Sequence, residues 1–79
     1  VAVDPDTWAA LRAERRRLAE SEGVPPYVIF HDVTLLAMLE QRPINLAEFA
    51  QLPGVGARKL ERYGDAFLAA LNRTVHALD

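Results

Sequence analysis

Apolar residues recur at helical spacing of three and four along most of the chain, and no segment alternates apolar and polar residues with period two. The stretch "DPDTWAALRAERRRLAESEG" predicts a first helix. Asp4 is placed to cap it, Pro5 suits its first position, and Gly23 lies just past its end. Trp8, Leu11 and Leu18 share one face, a stripe that Arg15 interrupts, while Arg12 and Arg16 stand one turn apart on a wetter face. In "GVPPYVIFHD" two consecutive prolines predict an extended loop, with Val28, Ile29 or Phe30 tucked inward and Tyr27 left near the surface. Asp32 is then expected to cap a second helix, "VTLLAMLEQR", with Leu35, Leu36 and Leu39 inward and Pro43 stopping it.

The clearest local signal lies in "INLAEFAQL", where Asn45 and Glu48 form a capping-box-like pair and Ile44 and Phe49 occupy the staple positions around it. This third helix is expected to end at Leu52, before Pro53 and Gly54. A fourth is predicted from Gly56 or Ala57 to Gly64, read as a left-handed C-terminal residue. The fifth, "DAFLAALNRTVHALD", carries Phe67, Leu68, Leu71, Val75 and Leu78 at helical spacing. The expectation is an all-α, compact bundle of about five short helices, with a proline-containing loop after helix 1 and a Gly-x-Gly hairpin between helices 3 and 4.

Length changes this picture little: 79 residues make one domain, 1–79, and the valine at position 1 suggests a piece of a longer protein. A hydrophobic content of 51% argues against disorder. No apolar run approaches the roughly 20 residues of a membrane span. The absence of cysteine excludes disulfides and thiolate-bound metal, and suits a reducing compartment. Charge says more by its distribution than by its total of −2. Seven of the nine Lys and Arg residues fall in two clusters, Arg12, Arg15, Arg16 and Arg17, then Arg58, Lys59 and Arg62. A local cluster attracts phosphate despite a negative total, because distant charges are screened within about 8–10 Å at physiological salt. The plainer reading of the first cluster is a solvated face paired locally with Glu14 and Glu20.

Catalytic chemistry finds no footing. His31 and His76 lack ligand-spaced partners, the lone Ser21 sits in no nucleophile elbow, and the acids show no acid–base pairing. The glycines at 54 and 56 lack the lysine and Ser/Thr of a nucleotide loop. No catalytic residue, metal or cofactor is expected. The segment "LPGVGARKLERYG" leaves two readings open. In one, bare backbone at Gly54 and Gly56 faces a phosphate at a helix start, with Arg58, Lys59 and Arg62 nearby. In the other, Gly54 is a helix cap, Val55 plugs the core, Gly56 lets two helices approach, and the cations solvate an outer face.

Taken together, "VPPYVIFHDVTLLAML" and "RPINLAEFAQLPGVGARKLERYGDAFLAAL" behind an arginine-bearing first helix resemble the HRDC domain, the helicase and ribonuclease D C-terminal module. The resemblance covers nearly the whole chain and is closest to the domain of bacterial RecQ-family DNA helicases. It implies a five-helix bundle, auxiliary and non-catalytic, binding single-stranded or partly single-stranded DNA weakly with little sequence preference. It also implies a monomer in the bacterial cytoplasm, at the nucleoid, in contact with other domains of its helicase. Tyr27 matches the family's binding aromatic; the alternative is a loop anchor packed on the first helix. Arg58, Lys59 and Arg62 would meet phosphates beside Gly54 and Gly56, with Arg16 extending the track. Two alternatives of other classes stand beside this: a module docking on the parent's catalytic core or a partner protein, and an RNA-binding domain of a ribonuclease D-type exonuclease.

Overall fold

The computed structural model describes residues 4–77, with side chains described through residue 72. It is all-α, with helices α1 (Pro5–Glu22), α2 (Pro26–Ile29), α3 (Asp32–Gln41), α4 (Leu46–Phe49) and α5 (Ala57–Ala77). The two long helices, α1 and α5, pack on each other; α2 and α3 lean on α1, and α4 on α5.

The ends of α1 follow its sequence. The Asp4 carboxylate accepts from the backbone N–H of Asp6 and Thr7 and, at 2.7 Å, from the Thr7 hydroxyl. That hydroxyl is the main reason the Asp4 carboxyl is held below its usual range, with backbone donors and Arg42 adding to it against some desolvation. At the other end Gly23 turns left-handed, φ 69°, and the Val24 N–H reaches the Ala19 carbonyl at 3.0 Å. This six-to-one bond closes the helix and seats Val24 against the core.

Several expectations are corrected, and the helix expected to end at Leu52 already ends at Phe49. The proline pair does not exclude a helix: Pro25 is extended (φ −63°, ψ 151°) and Pro26 opens the single turn of α2. Proline at a first helical position loses no hydrogen bond, because that N–H has no intrahelical partner anyway. Asp32 does not cap α3; His31 holds the cap position without a side-chain bond, and Asp32 is the first helical residue, ion-paired with Arg15 at 2.8 Å. Gly64 does not end a helix, since α5 runs through it without a break. A Cβ there would stand 2.7 Å from the Leu46 side chain, so this glycine lets α4 approach α5. Helices four and five of the sequence reading are thus one, and α2 restores the count. Finally, Ile44 is 69% exposed and makes no staple over fully buried Phe49, although Asn45 does cap α4 through the Glu48 N–H at 2.8 Å. The Glu48 carboxylate returns to the Ile44 N–H rather than to that of Asn45.

The core gathers around Phe30. Its ring meets those of Phe67, Tyr63 and Phe49 edge-on, with centroids 5.1, 5.9 and 6.1 Å away. Leu11, Ile29, Leu35 and Met38 lie in the sealed interior, while Leu36, expected inward, and Val28 remain exposed. Each such large apolar side chain contributes about 1.5–3 kcal/mol on burial. Val75, His76 and Leu78, expected on the last helix, lie outside the described side chains.

Candidate nucleic-acid interface

The short α2 is what presents Tyr27. Ile29, two positions on and so on the opposite side of the turn, goes into the core, which leaves Tyr27 facing outward, and Tyr27 is 58% exposed. Its ring stacks on His31, centroids 5.8 Å apart and planes 30° off parallel. The loop-anchor reading of Tyr27 does not describe this placement. Around it runs an open groove lined by Pro26, His31, Val33, Asp32 and Arg15.

Arg15 fixes that groove's geometry. The sequence places it as a break in an apolar stripe and as a member of a solvated cationic cluster, yet it is 8% exposed. Its guanidinium donates to the Phe30 carbonyl at 3.0 Å and meets Asp32 at 2.8 Å, pinning the end of α2 and the start of α3 to α1. The signal was available: a cation on the buried stripe of an amphipathic helix needs an acceptor inside, and buried polar groups are nearly always bonded.

The glycine turn connects to α3. Gly54 has φ 81°, and a Cβ there would fall 2.5 Å from the Thr34 hydroxyl oxygen. That hydroxyl donates to the Pro53 carbonyl at 2.9 Å, so the turn is fastened to the first turn of α3. Gly56 is different. Its carbonyl accepts the first bond of α5, from the Leu60 N–H at 2.9 Å, and a Cβ would meet nothing within 4 Å. Gly56 therefore does not serve helix approach; the backbone at the start of α5 is open to solvent.

The cations divide by what holds them. Arg58 makes no ion pair among the described residues and is exposed. Lys59 is half-buried, its ammonium 5.7 Å from the centre of the Phe30 ring, without a carboxylate partner among the described residues. Arg62 is engaged: it lies 3.3 Å from Glu22 and 5.3 Å from the Tyr63 ring centre. The Tyr63 hydroxyl donates to the same Glu22 carboxylate, 2.8 and 2.9 Å from its two oxygens. Burial first, then this bond to Glu22, pushes the Tyr63 phenol above its ordinary value, against the opposing pull of Arg62. Arg16 pairs only loosely with Glu20, at 4.0 Å with both side chains largely in water. The Tyr27 groove includes none of Arg58, Lys59 and Arg62; Arg16 lines a neighbouring groove that shares Pro26 and Arg15 with it.

No cluster of described His, Asp or Glu residues is arranged to hold a metal, and no described helix is long and apolar enough to cross a membrane.

The HRDC domain family model matches residues 4–71. Among curated proteins, the chain is 43% identical over 68 residues to the ATP-dependent DNA helicase RecQ of Haemophilus influenzae, covering 86% of this chain and 11% of that protein. It is 42% identical over 66 residues to the ATP-dependent DNA helicase UvrD2 of Mycobacterium tuberculosis, covering 84% of this chain and 9% of that one. The chain thus spans about a tenth of the length of the curated relatives it matches. Among solved structures, the "D. radiodurans RecQ HRDC domain 3" superposes with a TM-score of 0.86 at 38% identity, over 90% of this chain and 93% of that one. In RecQ helicases this is a non-catalytic accessory domain. From residue 4 to residue 71, in sequence and in helical architecture, the chain belongs to the HRDC domain family.

Proposed function

We propose that this chain is the DNA-contacting accessory domain of a bacterial ATP-dependent DNA helicase working at the nucleoid, and that it binds single-stranded or partly single-stranded DNA. The observation that carries this reading is Tyr27, an aromatic ring 58% exposed on a turn stiffened by two prolines and held from beneath by Arg15. A flat ring so presented stacks on any base, which supports binding with little sequence preference, and base–aromatic stacking contributes about 1–3 kcal/mol. Arg58, Lys59 and Arg16 meet phosphates, and the open backbone at Gly56, beyond the left-handed Gly54, offers amide donors to one of them. Arg62, already bound to Glu22, contributes less.

With about three phosphate contacts, the logarithm of affinity falls against the logarithm of salt with a slope of about −2, from a dissociation constant of about 10⁻⁴–10⁻⁶ M. Titrating a labelled oligothymidylate at several salt concentrations tests this, and affinity that does not change with salt rejects the phosphate mechanism. The similarity to RecQ and UvrD2 helicases supports DNA rather than RNA as the ligand.

A second reading, docking on another domain of the same helicase or on a partner protein, draws on a different observation. Val33 (63% exposed), Val28 (40%) and Leu36 (37%) leave apolar surface on α2 and α3 beside Tyr27. Chemical-shift mapping separates the two. Oligonucleotide-induced shifts at residues 27–30 and 54–62 support the DNA reading, and their absence at millimolar oligonucleotide supports docking.

A further inference from the structure

A second groove adjoins the first. It is lined by Trp8, Ala9, Arg12, Ala13 and Arg16 of α1, with Arg15, and by Pro26 of α2. Trp8, Arg12 and Arg16 are each separated by four residues, so they form a row along one side of α1. Trp8 is only half-buried, and the Arg12 guanidinium carbon lies 6.0 Å from its ring centre. Arg12 makes no ion pair among the described residues, and Arg16 has only the distant Glu20. No acidic side chain lines the groove. Arg15 adds wall but not free charge, since the Phe30 carbonyl and Asp32 engage its guanidinium. Arg12 and the loosely paired Arg16, one turn apart, repel each other, and an anion between them relieves that repulsion. The arrangement is a cationic row with an indole at its end and the small apolar Ala9 and Ala13 beside it, in a chain whose net charge is −2.

We infer that Trp8, Arg12 and Arg16 form a second nucleotide subsite for the same single strand, reached from Tyr27 across the ridge of Pro26. The inference rests on the DNA-binding reading above and gives it a path along α1. Arg12 and Arg16 take successive phosphates while a base settles on the exposed part of the Trp8 ring. The occupant is a single strand because both ends of the path present ring faces, which only unpaired bases can cover.

Trp8 is the chain's only tryptophan, so its emission reports this subsite alone. The chain is titrated with oligothymidylates of about 3 and about 9 nucleotides, lengths within the range that small single-strand binders cover. Binding is followed in parallel by Trp8 fluorescence and by anisotropy of a label on the oligonucleotide. The longer strand is expected to quench Trp8, and the double substitution Arg12→Ala, Arg16→Ala to weaken its binding about 5–20-fold. The same pair should reduce the salt slope by about 1.4, two contacts at roughly 0.7 each, and leave the shorter strand nearly unaffected. Binding that is lost in Tyr27→Ala but leaves Trp8 emission unchanged and ignores the double substitution overturns the second subsite alone. Binding that ignores Tyr27→Ala, or no binding at all, overturns the DNA reading and this inference with it.

Discussion

Replacing Arg15 with methionine tests the link between the core and the presented tyrosine. Methionine keeps the aliphatic stem that fills the space between α1 and α2 and removes only the guanidinium. Two interactions go with it. The donation to the buried Phe30 carbonyl, at 3.0 Å, is a charge-assisted bond whose loss costs about 1.5–3 kcal/mol. The pair with Asp32 is closer, 2.8 Å, but the Asp32 side chain is 71% exposed, so solvent screening reduces its share to about 0–1 kcal/mol. Relief of arginine desolvation works in the opposite direction. The net expectation is about 2 kcal/mol of destabilisation, or about 8–16 °C in melting temperature for a domain of this size. Urea and thermal unfolding followed by far-UV circular dichroism measure it. Asp32→Asn, which removes the charge but leaves the carbonyl bond, should cost less than about 1 kcal/mol. A change below about 0.5 kcal/mol in Arg15→Met, the level of an ordinary surface substitution, refutes the reasoning, as does a gain in stability.

Tyr27→Ala should weaken single-strand binding about 5–100-fold while shifting stability by no more than about 0.5 kcal/mol, because the ring is mostly in solvent; titration and melting are compared on the same preparation. Gly54→Ala should destabilise by about 1–3 kcal/mol, given its positive φ and the Thr34 hydroxyl oxygen 2.5 Å from the new Cβ, whereas Gly56→Ala should leave urea unfolding unchanged. The Tyr63 phenol, raised in the fold above its ordinary value of 10.0, binds its proton more tightly folded than unfolded. Its contribution is therefore complete below about pH 10 and lost as the pH climbs toward the folded value, and Tyr63→Phe should flatten that alkaline limb of the urea midpoint.

What the residues disclosed in advance was mostly local. The caps at Asp4, Gly23 and Asn45 act over three or four positions, and each forms much as the sequence indicates. The fold class followed from period alone. The misreadings arose where a distant neighbour decides. Gly64 lowers helix propensity by about 1 kcal/mol relative to alanine, yet α5 continues because the missing side chain admits Leu46. The prolines looked like a barrier because only tertiary contacts reveal that Ile29 and Phe30 must turn inward within one helical turn. Arg62 looked free for a phosphate until Glu22, forty residues earlier, came beside it. The exposure of Tyr27 was legible from its place next to the prolines, but the groove beside Trp8 depends on how α2 lies across α1.

Phe30 sits where several constraints meet. Three aromatic rings crowd its side chain, a lysine covers it, and its own carbonyl anchors a buried arginine. The residue three places before it, Tyr27, stands exposed. Such a surface has little freedom to mould itself, so on the proposed function the adaptability in the encounter comes from the incoming polymer. A limp strand can drape itself over a stiff relief, and a double helix cannot.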